Sequence, residues 1–243
     1  CFDCGSSLAE FEIEYADKKS DAVDVAFPIE INSAQRLVDL LHLNFEQQEE
    51  ILNACDNGKF IAPIWTTTPW TIPANQALNV HPDIDYSLIH LTINHENRSI
   101  ANQIIKTDVK EFFLVLAKNR IEECTSRYNR HQLHISDRTK TNSTTKHIRE
   151  IASFKGQFLK GLKFLHPLHD IHEGYQRYSP VYLADYVSDS DGTGVVHSAP
   201  AYGVDDFNSC VSNGLAYDDI LNPVLGNGQY EAELPLFGGL NIW

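Results

Sequence analysis

The chain has 243 residues, 42% hydrophobic and 21% charged, which suits one large domain with a sizeable core and excludes a disordered polymer. No apolar run approaches the roughly 20 residues needed to cross a bilayer, and no basic-then-apolar leader opens the sequence. The 19 Lys and Arg against 33 Asp and Glu give a net charge of −14, so the surface as a whole repels phosphate backbones. The stretch from Lys118 to Glu150 departs from this, with eight basic and four acidic residues and a local charge of +4. Read plainly, it is a solvated insertion. A nucleic-acid contact must therefore be local or come from another part of a longer protein, and the absence of Met leads us to expect a longer parent. Five scattered cysteines fit a reducing cytoplasm better than a secreted disulfide scaffold. Cys1 and Cys4 form a CxxC, half of a zinc site with no second half in the sequence, so no metal is expected here.

Glu10 to Tyr15 and Ala22 to Ile29 alternate polar and apolar residues, the period of half-buried strands, and form a hairpin or neighbouring strands. Ser33 is the expected N-cap of a short helix carrying Leu37, Leu40 and Leu41. Glu46 to Ala54 continues helically until Asn57-Gly58. Strands are expected over Phe60 to Trp65, Tyr86 to Ile93, Ile100 to Ile105 and Phe112 to Leu116, then a helix from Ala117 to about Tyr128. Arg130 to Thr145 is polar and reads as a loop or insertion, while Phe154 to Leu168 and Val181 to Tyr186 read as extended. A last helix spans Asp205 to Ser212, closed by Asn213-Gly214. Strands dominate and helices are irregularly interspersed, which points to a β-rich α+β or barrel-like fold and not a doubly wound sheet.

Two stretches carry chemistry. In Trp65-Thr66-Thr67-Thr68-Pro69-Trp70-Thr71-Ile72-Pro73-Ala74-Asn75, prolines fix the backbone after three successive hydroxyls. Hydroxyls held at a rigid strand end can position a water or a carbonyl oxygen. The same residues would also make a plain Thr-rich strand and Pro turn under two packing indoles. In Asp191-Gly192-Thr193-Gly194-Val195-Val196-His197-Ser198-Ala199-Pro200, two glycines precede a short strand ending near His197, and Asp205-Asp206 opens the following helix. A carboxylate there can hold an ammonium group by a charge-assisted bond, or can simply cap the helix. His197, equally, can be a satisfied half-buried histidine. A Ser198–His197–Asp206 triad is discounted, because adjacent strand residues point to opposite faces. No phosphate loop, GxSxG elbow or HExxH motif occurs.

At these two stretches the chain resembles the editing domain of isoleucyl-tRNA synthetases, the insertion called connective polypeptide 1 in class I enzymes. WTTTPWTIPAN at 65–75 and GTGVVHSAPAYGVDDF at 192–207 carry the resemblance, supported by 1–15 and by Asn222-Pro223-Val224 with Gly226 to Tyr230. It spans nearly the whole chain, 1–243, as one editing domain, with 31–58 and 130–147 looking like family-variable insertions. WTTTPW and His197 favour the isoleucyl type, since valyl and leucyl relatives show an Arg after the threonines and no His in the second motif. Ala201-Tyr202 departs from the Gly-His of many members. The resemblance implies hydrolysis of valyl-tRNA(Ile) and valyl-adenylate. One methylene changes binding by only about 1–3 kcal/mol, a limit for which isoleucine against valine is itself the worked case, so a first pocket cannot reject valine well enough and a second, smaller one must hydrolyse it.

By resemblance, Asp206 holds the substrate α-ammonium, and Thr66, Thr67 and Thr68 contact the ester and place the attacking water. Trp65 lines the pocket, His197 limits its size, and Asn75 affects specificity. The implied partners are the tRNA(Ile) acceptor end and the remainder of a synthetase chain, in the cytoplasm and away from membranes. No HIGH-like or KMSKS-like segment is present, so ATP, and any zinc, would belong to that remainder and no cofactor to this stretch. The alternatives are valyl-type editing of threonyl-tRNA, a non-catalytic tRNA-binding module, for which basic-aromatic interleaving is missing, and a free-standing hydrolase of unrelated substrates.

Overall fold

The computed structural model describes residues 21–99, 105–130 and 140–242. The strand expected at Glu10 to Tyr15, its hairpin, and the Cys1-Cys4 pair lie outside them. Among the described residues the order is β1 (Val23–Pro28), α1 (Ile31–Leu40), α2 (Phe45–Asp56), β2 (Phe60–Thr66), β3 (Ala77–Val80), β4 (Asp85–Ser99) and β5 (Ile105–Ala117). There follow α3 (Ile121–Arg130), β6 (Lys140–Lys155), β7 (Lys163–Leu165), β8 (Tyr178–Leu183), β9 (Val195–Ser198) and α4 (Val204–Ser212). One sheet has the order β1-β2-β5-β4-β6 and the other β7-β8-β3-β9. The fold is α+β and strand-rich, as expected. An Ile29–Phe164 bridge links the two sheets, which do not close into one ring among the described residues.

The core lies between the sheets and under the first two helices. Phe27, Ile64, Leu88 and Phe164 are essentially inaccessible, and so are Leu37, Val38 and Ile51 from α1 and α2. Residues 31–58 are therefore part of the core packing and not an appendage to it. Each fully buried side chain of this size contributes about 1.5–3 kcal/mol from the area it removes from water.

Three local expectations are corrected. Glu30, not Ser33, caps α1: its carboxylate accepts from the backbone N–H of Asn32 (2.9 Å) and Ser33 (2.8 Å). The Ser33 hydroxyl instead accepts from the N–H of Lys163 at 2.9 Å, tying α1 to β7. The loop expected over Arg130 to Thr145 is strand from Lys140 onward, paired with β4. Periodicity is silent there because β6 is an edge strand among the described residues and most of its side chains over 145–155 are exposed, so no apolar alternation marks it. The extended stretch Phe154 to Leu168 is interrupted by a 3-10 turn at Gly156–Leu159. A side chain at Gly156 would sit 2.1 Å from the His81 carbonyl oxygen, so only glycine lets the backbone cross there.

Gly194 is another position that needs glycine. Its φ is +77°, and a Cβ would lie 2.4 Å from the Ala117 Cβ. Around it the Ala117 N–H donates to the Thr193 carbonyl (2.8 Å) and the Tyr86 hydroxyl to the Gly194 carbonyl (2.6 Å), locking the turn before β9 onto the end of β5. Gly194→Ala combines a left-handed backbone with overpacking, and each costs about 1–3 kcal/mol. We expect at least about 2 kcal/mol of lost stability, read as a lower urea midpoint. An unchanged midpoint would contradict this packing.

Candidate active site

β2 delivers the threonines. It ends at Thr66, and Thr68 leaves the strand conformation (φ −124°, ψ 60°) before a 3-10 turn at Pro69–Ala74 that has proline in its first position. The buried Thr66 hydroxyl accepts from the Thr68 N–H (3.0 Å) and lies 3.2 Å from the Thr68 hydroxyl. Thr67 and Thr68 are exposed at the turn. Trp65, one residue earlier on β2, faces the opposite way from Thr66, and a Cβ at Gly192 would lie 3.8 Å from its own Cβ.

β9 brings the second stretch to this turn. It lies antiparallel to β3, with His197 opposite Leu78 and Ser198 opposite Ala77. The Thr71 hydroxyl donates to the Thr68 carbonyl (2.9 Å), so at its 2.8 Å contact with His197 Nε2 it acts as acceptor. Nε2 therefore carries the proton, and Nδ1 accepts from the Asn75 amide at 3.3 Å. Both ring nitrogens are engaged, and burial pushes the His197 pKa down from 6.5 to about 4. The histidine is neutral, fixed in tautomer and unavailable as a base. Asn75 is fully buried: its amide also donates to the Ala77 carbonyl (2.8 Å), and its carbonyl accepts from the Ser179 hydroxyl (2.5 Å).

Asp206 reaches the same strand end from the other side. Gly203 occupies the N-cap of α4, with Asp205 and Asp206 in the first turn, so neither acid is the cap. Asp206 turns back, accepting at Oδ2 from the Ala199 N–H (2.9 Å) and at Oδ1 from the Tyr186 hydroxyl (3.1 Å). Burial raises its pKa above the usual carboxylate value, opposed by the bonds from Ala199, Tyr186 and Ser198. The Ser198 hydroxyl points toward Asp206 and the buried Cys210, away from the histidine's partners, as strand alternation requires.

Thr71, Asn79, Tyr186 and Ser209 also take part in this network, and sequence reading did not single them out; Ser198, weighed there only as a triad nucleophile, joins it as a neighbour of Asp206. Thr71 sat inside the first motif. Nothing in the spacing marked Asn79, Tyr186 or Ser209.

The basic stretch is largely neutralised where it is described. Lys118 pairs with Glu150 (3.0 Å), Arg127 with Asp24 (2.9 Å) and Arg149 with Glu50 (2.7 Å). Arg120 pairs with Glu123 (2.5 Å). Glu123 and Glu150 already count in the local +4, so Asp24 and Glu50 are the carboxylates from outside the stretch that offset it in these pairs. Cys55, Cys124 and Cys210 are buried free thiols, and no described helix is long and apolar enough to cross a membrane.

No family model matches the chain. Curated relatives match it end to end: isoleucine–tRNA ligase of Bordetella avium at 47% identity and that of Cupriavidus necator at 42%, each over all 243 residues. The chain spans 21% of the length of each. Among solved structures, it is similar to the Plasmodium knowlesi cytosolic leucyl-tRNA synthetase editing domain (12% identity, TM-score 0.48, covering 85% of this chain and 71% of that one). A Plasmodium falciparum counterpart gives 13% identity and TM-score 0.47, over 89% and 76%. The relatives of known name are aminoacyl-tRNA synthetases. Over its whole length the chain is similar to a segment of isoleucine–tRNA ligases about one fifth of their length.

Proposed function

We propose that this chain is the editing module of a longer isoleucyl-tRNA synthetase, acting in the cytoplasm on the tRNA(Ile) acceptor end. It hydrolyses the ester of misattached valine, and valyl-adenylate. The observation that carries this reading is the meeting of the two motifs at one strand end, where Thr71 and Asn75 bind His197 and Asp206 binds Ala199. An ammonium donor fits Asp206, whose oxygens each keep lone-pair capacity beyond the bonds they accept. In this reading Thr66, Thr67 and Thr68 contact the ester and its water, Trp65 contributes a wall, and the rigid His197 ring, set by Asn75, fills the space an extra methylene would need.

The reaction needs one water. Its oxygen bonds to the ester carbonyl carbon, the bond from that carbon to the ribose oxygen breaks, and the water's proton passes to the leaving ribose oxygen. His197 does not take that proton, having neither nitrogen free. Positioned water and the neighbouring ribose hydroxyl share the transfer. The full-length protein should deacylate valyl-tRNA(Ile) while sparing isoleucyl-tRNA(Ile). Release of threonine from threonyl-tRNA in preference to valine would favour a valyl-type editor, and absence of any deacylation would leave only a binding module.

A further inference from the structure

We propose that Tyr186 is a positioning residue for this site: held by Asn79, its hydroxyl sets the Asp206 carboxylate in the orientation that receives the substrate ammonium. The proposal rests on the editing reading and adds a residue to it. Tyr186 lies just after β8, 20 positions before Asp206, and its hydroxyl donates to Asp206 Oδ1. That hydroxyl accepts from the Asn79 amide at 2.8 Å. Asn79 is fully buried on β3, between Tyr182 of β8 and Val196 of β9 in register. Its carbonyl accepts at 2.7 Å from the hydroxyl of Ser209, one helical turn beyond Asp206 on α4. The chain of bonds therefore leaves α4, crosses β3 and returns to α4, which anchors the carboxylate to the central strands of the smaller sheet.

Two features separate this from ordinary packing. Tyr186 is 39% exposed, so it is not there to fill the core. The carboxylate is gripped on both oxygens from different directions, Oδ2 by Ala199 and Oδ1 by Tyr186, which fixes its plane as well as its place. A buried amide such as Asn79 is costly unless every polar atom is bonded, and here its bonds serve the acid. The titratable groups facing Asp206 are Asp205 and Cys210 on α4 and Tyr186 itself, with Ser198 on β9 the other polar neighbour. A hydroxyl donating to the ionised carboxylate lowers its pKa, so removing it moves the pKa further up.

The test is Tyr186→Phe in the full-length protein, with valyl-tRNA deacylation followed against pH. The acid limb is expected to move up by about one unit, with KM raised several-fold and kcat nearly unchanged, because ammonium capture and not chemistry is impaired. In an Asp206→Asn background the same change is expected to have no further effect on the residual rate. An unmoved limb and KM, or an equal loss at every pH in both backgrounds, would overturn the positioning role. Asp206→Ala separates the two levels: full deacylation in that variant sinks the editing reading itself, whereas a crippled Asp206→Ala beside an indifferent Tyr186→Phe sinks only the role of Tyr186. Ser209→Ala, one bond further out, should shift the limb the same way by less, and a shift in the opposite direction would count against the relay.

Discussion

Asp206→Ala in the full-length protein is expected to slow valyl-tRNA deacylation by about 30- to 4,000-fold. The range follows from removing one partner of a close charge pair, about 2–5 kcal/mol, at 1.4 kcal/mol per decade. The geometry favours the upper half. Asp206 is half-buried and already accepts from Ala199 and Tyr186, so its orientation costs the substrate little. The loss should fall mainly on kcat/KM, since an unanchored ester can still meet the threonine turn but does so in many poses. Asp205, next along the same turn and exposed, is the control: Asp205→Ala should leave the rate within a few-fold. If Asp206→Ala deacylates at the parent rate, the carboxylate is only bracing the loop at Ala199.

His197→Ala should have the second large effect, in the opposite sense. The imidazole is held through both nitrogens by Thr71 and Asn75, so it is a stiff wall and not a mobile side chain. Removing it frees space for one methylene or more, and isoleucyl-tRNA(Ile) should then be hydrolysed about 10- to 200-fold faster, within what one methylene is worth in a pocket. Valyl-tRNA should still be hydrolysed, because a neutral imidazole with a pKa near 4 contributes no base at neutral pH. Continued protection of isoleucyl-tRNA in a variant that melts cooperatively would refute the size-limiting role. A collapse of both activities would instead show that the wall also aligns the threonine turn through Thr71.

Local pattern carried much of this. Alternation located β1 and β4, a buried apolar run located β2, and Asn57-Gly58 and Asn213-Gly214 marked two helix ends, because these signals depend only on neighbours in the chain. The tripled threonines and the GTG turn stood out as chemistry-bearing since prolines and glycines restrict or release the backbone wherever they occur. The β6 strand escaped notice because an edge with most of its side chains over 145–155 exposed leaves no apolar period in the sequence. The helix cap was misplaced by three residues because the hydroxyl of Ser33 was claimed by β7, a partner 130 residues away.

From the sequence alone came the types of group available: hydroxyls on a rigid turn, one imidazole, one acid at a helix start, and an acidic surface that repels phosphate backbones. Tertiary structure decided their protonation and their company. The register of β9 on β3 puts His197 between Thr71 and Asn75, which holds it as a neutral, fixed ring. Sheet order brings Asn79 under Tyr186 and Tyr186 against Asp206, over separations of 107 and 20 residues that no spacing rule reaches. Hydrogen-bond partners and desolvation are set by whatever the folded chain packs nearby, so those assignments had to wait for the coordinates.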